Sequence, residues 1–273
     1  MMDHLQTSPS RTAAEALERL DRLVTDLLDP VTGCPWDREQ TPEGLTEDLL
    51  EEMYELREAL LAGDGAEVLA EGGDTAFNLI LLSRLAEKKW SFGFREMLDA
   101  VRAKMIARHP HVFGDVSGIK DTEDVLAQWH RIKRSKSSQG VLASVPAGMP
   151  ALMRCHRLSA KAARSGFDWP DPAEVRQALD RELAELDAEI ALGRFQDPDR
   201  RQRLMEEMGD VLMAAGNLAR HLGFSGEKAL ALANGRFEFR FNFMEKKLAE
   251  KNLRPEDVPL DELEKLWQEA KKI

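Results

Sequence analysis

The chain has few of the residues and motifs that mark several common protein classes. Its 273 residues include only two cysteines, Cys34 and Cys155, and because these lie far apart in the sequence they predict reduced thiols rather than a disulfide framework. No apolar run reaches the length of a membrane span, and the polar N-terminus, with Asp3 and His4, predicts no signal peptide. We therefore expect a cytoplasmic protein that has no membrane partner.

Positive charge is also scarce, since 49 acidic residues against 38 basic ones give a formal net charge of −11. A broad nucleic-acid surface needs basic patches, so polymeric nucleic acid is not the expected partner. Small phosphate compounds remain possible, because a bound cation inverts the local charge. The glycine motifs of P-loop and Rossmann nucleotide sites are both absent from the sequence.

Strand-like alternation is also missing, and the apolar residues recur at helical spacing throughout. An internal repeat predicts an all-α fold of two tandem helical-bundle repeats: residues 1–134, a linker at 135–146 and residues 147–273. Gly72-Gly73 weakens one of the predicted helices, whereas helical rhythm continues through Asn234-Gly235. The predicted helices are 12–28, 46–62, 66–88, 94–108, 150–165, 172–192, 198–221, 227–252 and 261–272.

The most informative feature is a set of acidic pairs that occurs once in each half. The two members of each pair are three residues apart, so they share one face of a helix. The pairs are Glu52 and Glu55, Glu71 and Asp74, Glu182 and Glu185, and Glu207 and Asp210. Four carboxylates from two helices form a cage of hard oxygen ligands, which favours Mg²⁺ and allows Mn²⁺.

A single Glu-x-x-Glu pair is more often a solvated helix face than a metal site. Here both such pairs border apolar stripes in the same way. Asp74 lies within the stripe that Phe77, Leu81 and Leu85 continue, where an uncompensated charge would be costly. The repetition favours a divalent cation, and the absence of Glu-x-x-His argues against a helical di-iron site. The bordering stripes are Leu49, Met53, Leu56 and Leu60, and Leu179, Leu183, Leu186 and Ile190.

Basic and aromatic residues recur as well. Arg236 and Arg240, like Lys104 and Arg108 in the first half, are four residues apart on a predicted helix and suit phosphate oxygens, although exposed surface pairs would have the same spacing. A tryptophan precedes each Glu-x-x-Glu helix. Trp36 and Trp169 are candidates to stack on a base, but packing in a core is the more frequent role and is the favoured interpretation.

Several longer motifs resemble one known family. The first half has Gly-Cys-Pro-Trp-Asp at 33–37, Leu-Glu-Glu-Met-Tyr-Glu at 50–55 and Arg-His-Pro-His-Val-Phe-Gly-Asp at 108–115. The second half has Gly-Phe-Asp-Trp at 166–169, Glu-Glu-Met-Gly-Asp at 206–210 and Asn-Leu-Ala-Arg-His at 217–221. In these motifs, which span almost the whole chain, the sequence resembles the MazG nucleoside triphosphate pyrophosphohydrolases in their two-repeat form.

The resemblance implies an all-α homodimer that cleaves nucleoside triphosphates between the α- and β-phosphates with Mg²⁺. It implies three sets of site residues. The metal ligands would be Glu182, Glu185, Glu207 and Asp210, with Glu52, Glu55, Glu71 and Asp74 in the same roles in the first repeat. The catalytic residues would be Glu206, Glu207 and Asp210. The substrate contacts would be Arg203, Arg236, Arg240, Trp267, Lys161 and Trp169.

Departures from the family pattern distinguish the two repeats. The family usually has Glu-Glu-Leu-Gly-Asp where the first repeat has Ala70-Glu71-Gly72-Gly73-Asp74, whereas the second repeat keeps Glu-Glu-Met-Gly-Asp. We therefore predict that the second repeat is the active site and that the first is weak or structural. Two alternatives stay open: a non-catalytic helical protein that senses nucleotides or docks a partner, and a hydrolase of dUTP or dCTP.

Overall fold

The computed structural model describes residues 9–114, 116, 120–121, 124–125, 128, 140–193 and 195–273. All regular structure in these residues is helical, which confirms the predicted all-α class. The chain divides into two compact units, residues 1–136 and 137–273. The predicted linker begins at residue 135, and its first five residues lie outside the described part of the chain. None of the described helices has the length and hydropathy to cross a membrane.

As far as Gly114, the described part of unit 1 contains four long helices and two short ones. The predicted bounds of the long helices are within two residues of the observed ones. The short α2 and α6 were not predicted, because a single turn carries no periodic signal. The helices are α1 (Ala13–Leu27), α2 (Pro35–Glu39), α3 (Leu45–Ala62), α4 (Gly65–Trp90), α5 (Phe94–Arg108) and α6 (Pro110–Phe113).

A tight turn makes α3 and α4 an antiparallel pair. Gly63 ends α3 in the left-handed conformation, with φ of 72°, which glycine adopts without a steric penalty. Asp64 then caps α4 by accepting hydrogen bonds from the main-chain N–H groups of Ala66 and Glu67. Because the turn is so short, the two helices pack against each other along their length and bring their acidic residues together.

The core of unit 1 lies between α1 and the C-terminal half of α4. Val24 of α1 and Leu28, which follows that helix, pack there with Leu45 of α3 and with Ile80 and other buried residues of α4. Each fully buried aliphatic side chain of this kind contributes about 1.5–3 kcal/mol to stability. The buried residues of α4 begin only at Asn78, so its N-terminal half, which carries the acidic pair, lies outside this core.

Unit 2 repeats the plan with longer helices. The predicted bounds are within three residues of the observed ones, and the helix predicted across Asn234-Gly235 is confirmed. The helices are α7 (Ala151–Ala163), α8 (Pro172–Ala191), α9 (Pro198–His221), α10 (Gly226–Ala249) and α11 (Leu260–Ala270), with a 3₁₀ turn at Pro255–Asp257.

Helix α9 is the centre of unit 2, since it packs on α7, α8 and α10. The helices approach closely at Gly216, where an added Cβ would lie 2.8 Å from the Sγ of Cys155 on α7. Gly226 at the start of α10 faces the same glycine, and its added Cβ would be 3.5 Å from the Cα of Gly216, an ordinary van der Waals distance. These small residues hold the far end of α9, while its N-terminal half faces α8 and presents the second acidic pair.

Candidate metal and nucleotide site

Three of the four predicted carboxylates converge in unit 2. Glu182 projects from α8, and Glu207 and Asp210 project from α9. One carboxylate oxygen from each residue lies within 4.8 Å of the others. Glu185 lies outside this group of three, although its charge acts on Glu207. An all-oxygen set of this kind suits a hard divalent cation.

The electrostatics of the unit 2 group fit a cation as well. Partial burial raises the pKa of Glu207, and the nearby charges of Glu185 and Asp210 raise it further. A carboxylate whose pKa is raised by its neighbours holds its negative charge at a cost, and a divalent cation among the oxygens would remove that cost. The residues present therefore fit a bound metal ion.

Unit 1 forms a related group with a different membership. Glu52 and Glu55 of α3 meet Glu71 of α4, with one oxygen from each residue within 4.8 Å of the others. Burial raises the pKa of Glu52, as does the charge of Asp74. Burial also raises the pKa of Glu71, and the charge of Glu55 adds to this effect. Asp74 contributes charge to the group but lies outside the three converging residues.

The predicted burial of Asp74 is wrong, because its side chain is exposed. Helical angle places Asp74 on the same stripe as Leu81, but α1 covers that stripe only where the core lies, and the preceding turns face solvent. The stripe along α3 is also largely open, since Met53 and Leu60 are 50% and 60% exposed. Angular position on a helix shows which residues share a face but not whether another element covers it.

The predicted substrate contacts of α10 and α11 lie partly together. The guanidinium carbon of Arg240 lies 5.6 Å from the centroid of the Trp267 ring, and the Phe237 ring is 5.2 Å from it. Arg236 is exposed on the same helix. The structure thus brings Arg240 and Trp267 into one cationic and aromatic cluster, on α10, which packs on α9, and on α11, which packs on α10.

The remaining predicted residues of α9 and α7 differ in their exposure and in their hydrogen-bond partners. Arg203 and Glu206 are exposed, and the Glu206 carboxylate accepts a hydrogen bond of 2.8 Å from Gln202. Lys161 donates instead to the segment before its own helix, binding the main-chain oxygen of Val141 at 3.3 Å and the hydroxyl of Ser144. In this structure the Lys161 ammonium is therefore engaged by residues 141–144.

The two tryptophans lie on the surface, so their interpretation as core residues is wrong. Trp36 is 58% exposed and Trp169 is 38% exposed. Each belongs to a short turn before its acidic helix, which is too small to enclose an indole ring. Their exposure keeps the stacking interpretation open.

The turn that carries Trp169 is fixed by Asp168. The Asp168 carboxylate accepts hydrogen bonds from Arg220, from His221 at 2.9 Å and from the main-chain N–H of Trp169 at 3.0 Å. Burial acts to raise the pKa of Asp168, but the hydrogen bonds from Arg220 and His221 outweigh it and hold the pKa below its ordinary value. No spacing in the sequence predicts this contact, because Asp168 and Arg220 are 52 residues apart.

Glu189 was missed as well. It follows Glu185 by four residues and Glu182 by seven, so it shares their helix face. Its charge is among those that raise the pKa of Glu207. Extending the three- and four-residue spacing along α8 was the signal that would have found it.

Comparison with known proteins shows one matching family and several similar proteins. Residues 40–113 match the MazG nucleotide pyrophosphohydrolase domain. The chain is 37% identical over 263 residues to the nucleoside triphosphate pyrophosphohydrolase of Escherichia coli K12, covering 94% of this chain and 98% of that protein. It is 34% identical over 263 residues to the nucleoside triphosphate pyrophosphohydrolase/pyrophosphatase MazG of Thermotoga maritima, covering 96% and 98%. It is also 35% identical to the uncharacterized protein YabN of Bacillus subtilis, covering 91% of this chain and 50% of that protein.

Proposed function

Because the chain belongs to the MazG nucleotide pyrophosphohydrolase family, we propose that it cleaves nucleoside triphosphates between the α- and β-phosphates. The products are a nucleoside monophosphate and pyrophosphate. The observation that carries the proposal is the convergence of Glu182, Glu207 and Asp210 in a chain of this family. The similarity extends over almost the full length of two relatives that are named for this activity.

The cofactor in this proposal is Mg²⁺, and Mn²⁺ can take its place. Glu182, Glu185, Glu207 and Asp210 would hold the ion. The ion would supply Lewis-acid chemistry, which would make the α-phosphorus more electrophilic and lower the pKa of the attacking water. Support comes from the three oxygens within 4.8 Å of one another and from the raised pKa of Glu207.

The chain's other residues act on the water and on the leaving group. Glu206, next to the ligand Glu207, accepts a proton from the attacking water and orients it. Arg203, Arg236 and Arg240 offset the charge that collects on pyrophosphate as it leaves. These roles follow the family resemblance. Glu206, Arg203 and Arg236 are exposed to an incoming substrate, and Arg240 is half-buried beside Trp267.

Three further residues complete the substrate site in this proposal. Trp267, which already stacks with Arg240, and Trp169 contact the nucleoside. Lys161 contacts a phosphate, which requires it to exchange its bonds to Val141 and Ser144 for bonds to the substrate.

Unit 1 supplies a second acidic group with a lesser role. Glu52, Glu55, Glu71 and Asp74 would hold a cation in the same way, but the activity belongs to unit 2. The support is chemical: Glu67 lies four residues before Glu71, where unit 2 has Arg203 four residues before Glu207. An acid at that position repels the phosphates that an arginine attracts.

The assembly is a homodimer in this proposal, and the protein acts in the cytoplasm. Support for a second copy comes from large apolar side chains that the chain leaves exposed on α3, including Leu50, Met53, Tyr54 and Leu60. Contiguous apolar surface of this kind is typical of protein interfaces.

An assay of pyrophosphate release tests the activity directly. The protein is incubated with Mg²⁺ and a panel of canonical and modified triphosphates that includes dUTP and dCTP, and the nucleotide product is identified by chromatography. We expect monophosphate and pyrophosphate in equal amounts, and complete loss of release with EDTA. Calorimetric binding of a non-hydrolysable triphosphate without any release from the panel would instead support the nucleotide-sensing alternative. Release confined to dUTP or dCTP would narrow the activity to that substrate class.

A further inference from the structure

An ion pair joins the ends of α8 and α9 in unit 2. Arg200 lies in the first turn of α9, and its Nη1 is 2.7 Å from Oε2 of Glu189 near the end of α8. Its Nη2 also donates a hydrogen bond of 2.9 Å to the main-chain oxygen of Glu189. Both side chains are largely buried, 17% and 18% exposed. One arginine therefore binds both the side chain and the backbone of the helix that carries Glu182 and Glu185.

Glu189 is part of the acidic surroundings of the site. It lies on the same face of α8 as Glu182 and Glu185, and its charge reaches Glu207 across the helix pair. A fifth carboxylate thus stands beside the four predicted ligands. Arg200 is the cation that pairs with it.

The matching positions of α3 and α4, both in the described part of unit 1, hold no such pair. The cap of α4, Asp64, lies seven residues before Glu71, whereas the cap of α9, Asp197, lies ten residues before Glu207. Helix α9 is thus longer at its N-terminus by about one turn, and Arg200 lies in that extra turn. At the place of Glu189, seven residues after the first acid of the pair, unit 1 has the buried Ala59.

We propose that Arg200 is a positioning residue for the acidic site of unit 2. Through Glu189 it fixes the first turns of α9 on α8, and so sets the separation between Glu182 and the two ligands of α9. It also cancels the charge of a carboxylate that is beside the site but is not a ligand. The inference rests on the proposed function, in which these carboxylates hold the metal ion.

The physical basis is the sensitivity of metal sites to the groups that orient their ligands. Loss of an orienting partner typically lowers metal affinity by about 10–100-fold. Removing only one member of a buried ion pair leaves an uncompensated charge, which disturbs the fold itself. The informative change therefore removes both charges together and keeps the volumes similar.

The test is the double variant Glu189→Gln/Arg200→Met, with Mn²⁺ binding measured by calorimetry in the absence of nucleotide. We expect the dissociation constant for Mn²⁺ at the unit 2 site to rise about tenfold, whereas binding at the unit 1 site should not change. The Mg²⁺ concentration that gives half-maximal pyrophosphate release should rise by a similar factor. The matched control is Arg176→Met on α8, which breaks a half-exposed pair with Asp180 and should leave both values unchanged.

A purely structural role gives a different result. In that case the melting temperature falls while the folded double variant binds Mn²⁺ within twofold of the parent, and the proposal is overturned. If the double variant does not fold, Glu189→Gln alone decides, since it leaves the Arg200 charge unpaired beside the site and should weaken Mn²⁺ binding. Unchanged binding in that variant also overturns the proposal.

The proposed activity can fail separately. A parent protein that binds Mn²⁺ but releases no pyrophosphate contradicts the activity only, because the Mn²⁺ titration requires no turnover. A parent protein that binds no Mn²⁺ removes the basis of the positioning role as well.

Discussion

The two units carry the same acidic pairs but differ in the charges beside them. Four residues before the first acid of the second pair, unit 1 has Glu67 and unit 2 has Arg203. The charge of Glu67 adds to those that raise the pKa of Glu71. One residue before the same acid, unit 1 has Ala70 where unit 2 has Glu206. Similar carboxylate geometry therefore occurs in two settings, and at these two positions unit 2 has the cation and the spare acid that the proposed hydrolysis uses.

Both units have an arginine at the same distance from the second acidic pair, but it binds a different partner in each unit. Arg84 and Arg220 each lie ten residues after the aspartate of the second acidic pair. Arg84 forms a two-pronged contact with Asp21 and so ties α4 to α1. Arg220 binds Asp168 and so ties α9 to the turn before α8. This arginine anchors one helix against another in unit 1, whereas in unit 2 it fixes a turn that carries a candidate nucleotide contact.

The largest expected effect comes from removing a predicted metal ligand of unit 2, and the same change in unit 1 is the comparison. Glu207→Gln should lower pyrophosphate release by more than about 100-fold, since loss of a ligand exceeds the effect of losing an orienting partner. Glu71→Gln in unit 1 should leave most of the turnover in place. Steady-state kinetics at saturating Mg²⁺ measure both variants, and circular dichroism checks that both remain helical. Equal losses in the two variants would show that the units share the catalysis.

A smaller effect is expected from making unit 2 resemble unit 1 at one position. Arg203→Glu places an acid where unit 1 has Glu67, so it should repel the triphosphate and lower kcat/KM by about 10–100-fold. Arg203→Ala removes the attraction without adding repulsion, and its loss should be smaller. Kinetics at low and high salt measure both, because screening should narrow the difference between them. Identical kinetics for the parent and Arg203→Glu would contradict a phosphate role for Arg203.

Much of the architecture could be predicted from the sequence because long amphipathic helices carry a repeated signal. Helix α5 and helix α9 begin and end at the predicted residues. Helix α4 continues through Gly72-Gly73, since its contacts with α3 outweigh the weak helix propensity of glycine. The pairing of acids across two helices also follows from sequence, as three of the four predicted residues converge in each unit.

The remaining features depend on which surfaces meet, and helical spacing does not encode that. The exposure of Asp74 reflects how far α1 extends along α4. The exposure of Trp36 and Trp169 reflects turns that have no neighbour to cover an indole ring. The pair of Glu189 with Arg200 joins residues on either side of a turn, and the engagement of Lys161 by Ser144 involves a segment without periodic structure. Each of these features depends on whether one element contacts another, and the sequence pattern within a single element does not determine that.

The smallest expected effect is on the stability of the metal-free protein. The comparison is between Glu207 in the acidic site and the exposed Glu206 beside it. Because burial and neighbouring charges raise the pKa of Glu207 above 4.5, the folded protein binds this proton more tightly than the unfolded chain does. The free energy of unfolding contributed by Glu207 therefore falls as pH rises from about 4.5 through the raised pKa, and the loss is complete above it. Glu207→Gln removes this dependence. In EDTA, the variant should gain stability relative to the parent as pH rises from 4.5 to 7.5.

Urea unfolding at the two pH values measures that difference, and Glu206→Gln on the same helix is the matched control. Carboxylates with lowered pKa, such as Asp168, act in the opposite direction, but they are common to all three proteins and cancel in the comparison. At pH 7.5, Mg²⁺ should stabilise the parent more than Glu207→Gln, because only the parent retains the full set of ligands in unit 2. If the gap between Glu207→Gln and the parent is the same at both pH values, the carboxylates of unit 2 do not repel one another enough to require a cation.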